Sequence, residues 1–188
     1  AVLNEDITFL EGKCLSFGRG VAYQPISDIL KANFDIREGD WDAVMTKKVT
    51  EGLQAINVES EPAMPYLLEL LSAKDSGIEK IPLSPEGKKD RTTETLKKIL
   101  LKGSEIRPVV IAIEDLHWID KTSEDVLRYL LESIPGARVL LIFTYRTEYI
   151  PTWGARTYHN QILLNRLSNR ESLLMVHHIL GTEDIESA

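Results

Sequence analysis

The sequence predicts an α/β protein: a parallel sheet with helices packed against it. Three observations carry that expectation. Short apolar runs alternate with longer segments of helical periodicity, and strands joined by helices imply parallel pairing through crossovers. The central run "VVIAIEDLHWID", Val109 to Asp120, is apolar for five residues and then abruptly acidic, as expected of a strand covered on both faces. Three of the strands end in informative residues, "SFGRG" after the first, Glu114 and Asp115 after the second, Thr144 and Arg146 after the third. Ligands of open parallel sheets sit beyond such carboxyl ends.

Taken in order, Ile7 to Phe17 reads as the first strand, "GRG" as a tight turn, and "QPISDILKANF" as a helix whose Pro25 suits a first turn. Trp41, Val44, Met45, Val49, Leu53 and Ile56 recur at close to helical spacing, and "PAMPYLLELLSA" continues as a short apolar helix. Residues 73–90 are rich in Ser, Gly, Pro and charge and read as a mobile loop, after which "RTTETLKKILLKG" is a helix opened by Arg91 and stopped at Gly103. "RPVVIAIEDL" is a strand, "KTSEDVLRYLLESI" a helix with Asp120 as its N-cap, and "ARVLLIFTYR" a strand. "HNQILLNRL" reads as a further strand, and "SNRESLLMVHHILG" as a helix with Ser168 and Glu171 spaced as a capping box.

Composition limits the function classes. With 188 residues, 43% hydrophobic and 27% charged, the chain has enough apolar surface for a core. Twenty-two basic against 29 acidic residues leave a net charge of −7 and no basic block, which disfavours nucleic acid and anionic membranes as partners. A single cysteine, Cys14, in an apolar strand suits a small buried group in a reducing compartment. No apolar stretch approaches the roughly 20 residues that span a bilayer, and the amino-terminal residues lack a basic signal-peptide start; the expected location is cytoplasmic.

Two acids after an apolar strand are suited to holding Mg²⁺ through its water shell beside a triphosphate and to polarising an attacking water. An arginine ending the neighbouring strand offers a planar fork of donors to a γ-phosphate. Trp118 suits packing beneath the sheet end rather than contact, with His117, to a nucleotide or partner; His177 and His178 lack further ligands for a metal, and Arg91 suits a solvated helix surface.

"IAIEDLHWID" resembles the Walker B strand of the signal-transduction (STAND) branch of AAA+ ATPases, modules placed beside class III adenylate cyclases, kinases or LuxR-type regulators in large bacterial proteins. "FLEGKCLSFGRGVAYQPISDIL" is similar to that family's second strand and following loop, "LIFTYRTEY" to its sensor 1 strand, and "LNRLSNRESLLMVHHILG" to the segment leading to its helical lid. The resemblance implies a P-loop NTPase-like parallel sheet, ATP and Mg²⁺ as cofactors of the intact protein, and a covalently attached effector domain. It places Glu114 at the metal-associated position, with Mg²⁺ held through water, Asp115 at the water-activating position, and Arg146 as the sensor arginine. The order here is glutamate then aspartate, the reverse of the commonest AAA+ order. Residues 1–167 would be the Walker B and sensor 1 half of the core, and 168–188 the start of the lid.

A Walker A loop, G-x-x-x-x-G-K-[ST], is missing from these 188 residues: Gly12 and Gly87 precede lysines, but the residues that follow are Cys14 and Lys89. The expected arrangement is therefore an incomplete core, lacking the first strand and the P-loop, in a fragment of an ATP-dependent regulatory switch that binds nucleotide poorly by itself. The family's first strand lies beside the sensor 1 strand. Its loss leads us to expect that "HNQILLNRL" closes onto "ARVLLIF" or that another chain fills the gap, through self-association at unpaired sheet edges. A catalytically idle interaction scaffold is the alternative function, and a DNA-binding ATPase is disfavoured by the acidic charge.

Overall fold

The computed structural model describes residues 6–16, 21–154 and 156–181. Two compact units divide it at Thr152 and Trp153.

The first unit is a three-stranded parallel sheet in the order β1 (Thr8–Lys13), β2 (Val109–Glu114), β3 (Val139–Phe143). The register pairs Thr8 with Val109 and Val109 with Val139, so Leu10, Ile111 and Leu141 stand side by side on one face. That face is packed by α1 (Gln24–Asn33), α4 (Pro85–Ile106) and α5 (Lys121–Ser133), while α2 (Asp42–Ala55) and α3 (Ser60–Leu70) pack together beside α4. The α/β expectation holds, as does each helix it located.

Four local expectations are corrected. The strand β2 is fully covered on one face only: Val109, Ile111 and Ile113 are buried, whereas Val110 and Ala112 are half-exposed. Their neighbours on that second face, Phe9 and Leu140, are each 56% exposed. Residues 73–90 are not one loop, because Ile78–Lys80 forms a 3₁₀ turn and α4 starts at Pro85. Ser84 caps it by accepting from the Gly87 N–H at 3.1 Å, and proline at the first helical position lacks only a donor that would go unpaired there. Arg91 therefore lies inside α4 rather than opening it.

The third correction is that α4 passes through Gly103 to Ile106. The cause lies far along the chain, where Arg138 donates through Nε to the Ser104 carbonyl at 2.9 Å and through its terminal nitrogen to the Glu105 carbonyl. A guanidinium on the last carbonyls stabilises one more turn. Finally, "HNQILLNRL" forms no strand: residues 159–167 have no regular structure, and none of β1, β2 or β3 pairs with them. Three consecutive apolar residues, Ile162, Leu163 and Leu164, offer no alternation for a sheet with one covered face, and all three are exposed. The "GRG" turn lies outside the described residues.

Gly12 is where β1 and α1 approach most closely. A Cβ there would lie 2.6 Å from the Pro25 carbonyl oxygen, so only glycine lets the backbones meet. Packing α1 this tightly seats Ile26, Ile29 and Leu30 against the sheet.

The second unit contains α6 (Asn169–Leu180). The expected capping box is present: Ser168 Oγ accepts from the Glu171 N–H at 3.3 Å, and Glu171 accepts from the Ser168 N–H at 2.7 Å. Gly181 ends the helix in a left-handed conformation. His177 and His178 occupy the last turn, and no metal-holding cluster includes them among the described residues.

Candidate functional site

Two strand ends meet at the carboxyl edge of the sheet, and Thr144 joins them. Its N–H donates to the Ile113 carbonyl at 3.1 Å and its carbonyl accepts from the Leu116 N–H at 2.8 Å, extending the β2–β3 ladder beyond both strands. Its hydroxyl accepts from the Asp115 N–H at 3.1 Å. These bonds hold Asp115 in the left-handed region, φ 55° and ψ 41°, where it opens the 3₁₀ turn Leu116–Trp118. Aspartate is among the few non-glycine residues that tolerate this conformation. Leu116, fully buried, anchors the turn from below.

The two acids, adjacent in sequence, have different surroundings. Glu114 is the last residue of β2 and faces Lys13, its register partner at the end of β1, in an ion pair of 3.3 Å. The Lys13 and Glu114 side chains are 54% and 42% exposed, so water screens the pair and its worth is at most about 1 kcal/mol. Among the described residues, the Asp115 carboxylate carries no hydrogen bond. Arg146 follows β3, and its guanidinium lies 5.5 Å from the Trp118 ring centre, within cation–π range. Trp118 in turn packs against His117, with ring centres 4.5 Å apart. The structure thus brings Glu114, Asp115 and Arg146 to the same end of adjacent strands.

Sequence reasoning missed Lys13, seen there only as a lysine unfit for a phosphate loop, and the roles of Thr144 and Trp118. The signal for Lys13 was available: parallel register places the ends of β1 and β2 side by side. The clamp through the Thr144 hydroxyl had no signal, because it depends on where β3 stops.

The next layer is structural. Asp120 is the N-cap of α5, as expected, accepting from the Ser123 N–H at 2.9 Å and from the Ser123 hydroxyl at 2.5 Å. Buried Glu124 accepts from Tyr149 Oη at 3.1 Å and Thr152 Oγ1 at 2.9 Å, which ties the segment after Arg146 back onto α5. Burial, followed by the charge of Glu124, pushes the Tyr149 hydroxyl well above its ordinary pKa.

Cys14 is buried just past β1, as its apolar setting predicts. Burial, then the charges of Asp120, Asp115 and Asp28, pushes its thiol up to about 12 from 9.0. The folded state therefore binds the thiol proton more tightly than the unfolded state does. That contribution to stability is complete below about pH 9 and is lost as pH rises from 9 towards 12. Iodoacetamide at pH 8 is expected to modify Cys14 about a hundredfold or more slowly in the folded chain than in urea, since only the thiolate attacks. Equal rates in the two states would show an accessible, ordinary thiol.

Mg²⁺ takes one or two protein carboxylates and fills its octahedron with water and phosphate oxygens. Glu114 and the unengaged Asp115 fit that mode of binding. They do not form a full protein cage, and among the described residues no three His, Cys, Asp or Glu side chains are grouped to hold a metal alone. Backbone donors for phosphates are not provided by any glycine-rich lysine loop in this sequence.

The three-stranded parallel sheet with flanking helices is that of an α/β, P-loop NTPase-like domain. The chain belongs to the AAA ATPase domain family, which matches it over residues 1–142. An uncharacterized protein of Rhizobium meliloti (strain 1021) is 30% identical over 92 residues, which are 49% of this chain and 9% of that protein. The match therefore spans a small part of the relative's length. No solved structure matches the chain. No helix among the described residues is long and apolar enough to cross a membrane.

Proposed function

We propose that this chain is the Walker B and sensor 1 half of the ATPase core of a STAND-type regulatory protein, in which nucleotide state controls an attached signalling domain. In this reading residues 1–167 belong to the core and 168–188 begin the lid. The observation that carries it is the junction of β2 and β3, where Thr144 fixes the Asp115 backbone and where Glu114, Asp115 and Arg146 stand at one sheet end. Family membership supports the ATPase class, while the regulatory role and the effector rest on the sequence resemblance.

In the intact protein, Mg²⁺-ATP would supply the transferable phosphoryl group. Glu114 would hold the ion through water once Lys13 gives way. Asp115, whose carboxylate carries no hydrogen bond among the described residues, would orient a water and take its proton. Arg146 would leave the Trp118 face to meet negative charge developing on phosphate oxygens.

The test is made on the intact protein. Arg146→Ala is expected to weaken ATP binding, and a Glu114→Gln, Asp115→Asn double variant to abolish nucleotide control of the signalling output. Normal signalling by the double variant would instead favour the idle scaffold. One observation supports that second reading: Lys13 already neutralises Glu114, as an abandoned metal position would allow. For either reading, the outer edges of β1 and β3, which no other strand among the described residues pairs with, offer backbone donors and acceptors to another strand, from the same polypeptide or a second copy.

The 188 residues alone are expected to bind Mg-ATP no better than about millimolar, a free energy of about −4 kcal/mol. Most of the grip on a triphosphate comes from backbone donors and a lysine, and a net charge of −7 provides no attraction. A one-site micromolar constant by calorimetry would reveal a phosphate cradle elsewhere in the chain.

A further inference from the structure

The helical layer does not fill the space above the sheet. A cavity of about 400 Å³ lies between the inner faces of β1, β2 and β3 and helices α1, α2, α4 and α5, walled by residues such as Leu10, Ile29, Ile99, Ile111 and Leu130. Protein interiors rarely leave voids larger than a water molecule, and this one is within the range of small-molecule sites. Its walls offer water few of the two to four polar partners it needs. Gly103 helps to keep the space open: it sits inside α4, where glycine is unfavourable, and a Cβ built there meets no atom within 4 Å.

The mouth faces away from the acids. Its exposed residues, Asn33, Ala55, Ile106 and Arg107, are at the carboxyl ends of α1, α2 and α4 and just before β2. Arg107 already holds a carboxylate there, that of Asp6, at 3.1 Å. Asp6 is largely exposed and its pairing is weak, so a competing carboxylate can replace it.

We propose that this cavity binds a single-chain amphiphile, with an alkyl tail among the apolar walls and a carboxylate head at Arg107. Apolar walls with one cation at the rim recognise that chemistry, because the tail supplies affinity in proportion to the methylenes buried while the exposed head supplies orientation. The site does not depend on the nucleotide reading, since it lies at the opposite ends of the strands from Glu114 and Asp115.

Calorimetric titration of the chain with octanoate, decanoate and dodecanoate tests it. One-site binding that strengthens about fourfold per methylene is expected, the factor equivalent to about 0.8 kcal/mol. Gly103→Leu should raise the melting temperature by filling the void and abolish binding. Ala55→Phe, at the mouth, gives the same reading should the first variant fold poorly. Arg107→Gln should weaken decanoate about threefold and leave decanol unchanged. Absence of binding, affinity indifferent to chain length, or undiminished binding by both filled variants would overturn the proposal. Equal weakening of acid and alcohol by Arg107→Gln would overturn the head-group assignment.

Discussion

In the intact protein, Asp115→Asn is expected to retain ATP affinity while lowering turnover by about 10²- to 10⁴-fold, the usual contribution of a positioned general base. Asparagine is isosteric and tolerates the left-handed backbone found at this position as well as aspartate does. The clamp to Thr144 uses the backbone N–H, which the substitution leaves in place. What disappears is the negative charge and the site for a proton. Steady-state hydrolysis with a parallel nucleotide-binding titration makes the measurement, and an unchanged turnover number would remove Asp115 from the water-activating position. Asp115→Glu is a poorer probe, since it preserves charge but puts a longer side chain, less suited to φ 55°, on a constrained backbone. The same constraint offers a reason for the glutamate-then-aspartate order: the second acid here stands where the chain turns left-handed.

The second large effect concerns the anchor of that turn. Leu116 is fully buried, so Leu116→Ala removes three buried carbons and leaves a hole that its neighbours fill only in part. A loss of about 2–5 kcal/mol in folding stability is expected. Urea unfolding of the chain would show it as a lower midpoint with an unchanged slope. A loss below about 1 kcal/mol is outside that range for buried leucines and would mean that the turn is not anchored through this side chain.

The strands β1, β2 and β3 and the body of each α-helix were legible because their apolar spacing is local, and the capping box at Ser168 and Glu171 is spelled out within four letters. The end of α4 was not legible. Gly103 is a stop signal in isolation, and what overrides it is Arg138, 35 residues downstream, whose guanidinium reaches the last carbonyls only after β3 is in place. "HNQILLNRL" was misread for the complementary reason: a strand is defined by its partner, and an apolar run cannot announce that none is beside it. Within the candidate site, the acids and Arg146 were visible as residues ending strands. The ion pair of Lys13 with Glu114 and the seat of Arg146 on Trp118 required the register of one strand against the next.

That register also affects how the chain reaches its fold. Thr8 pairs with Val109, 101 positions along, whereas Val109 pairs with Val139, only 30 positions along. Closing the longer loop costs about 1 kcal/mol more in chain entropy, and it requires α1 to α4 to be gathered within the crossover. The β2–α5–β3 crossover unit is thus the cheaper nucleus, and contacts as distant as those of β1 make for slow folding. Until β1 arrives, the β2 edge that carries Val109 to Glu114 is open to any strand that reaches it first, including one from a neighbouring nascent chain.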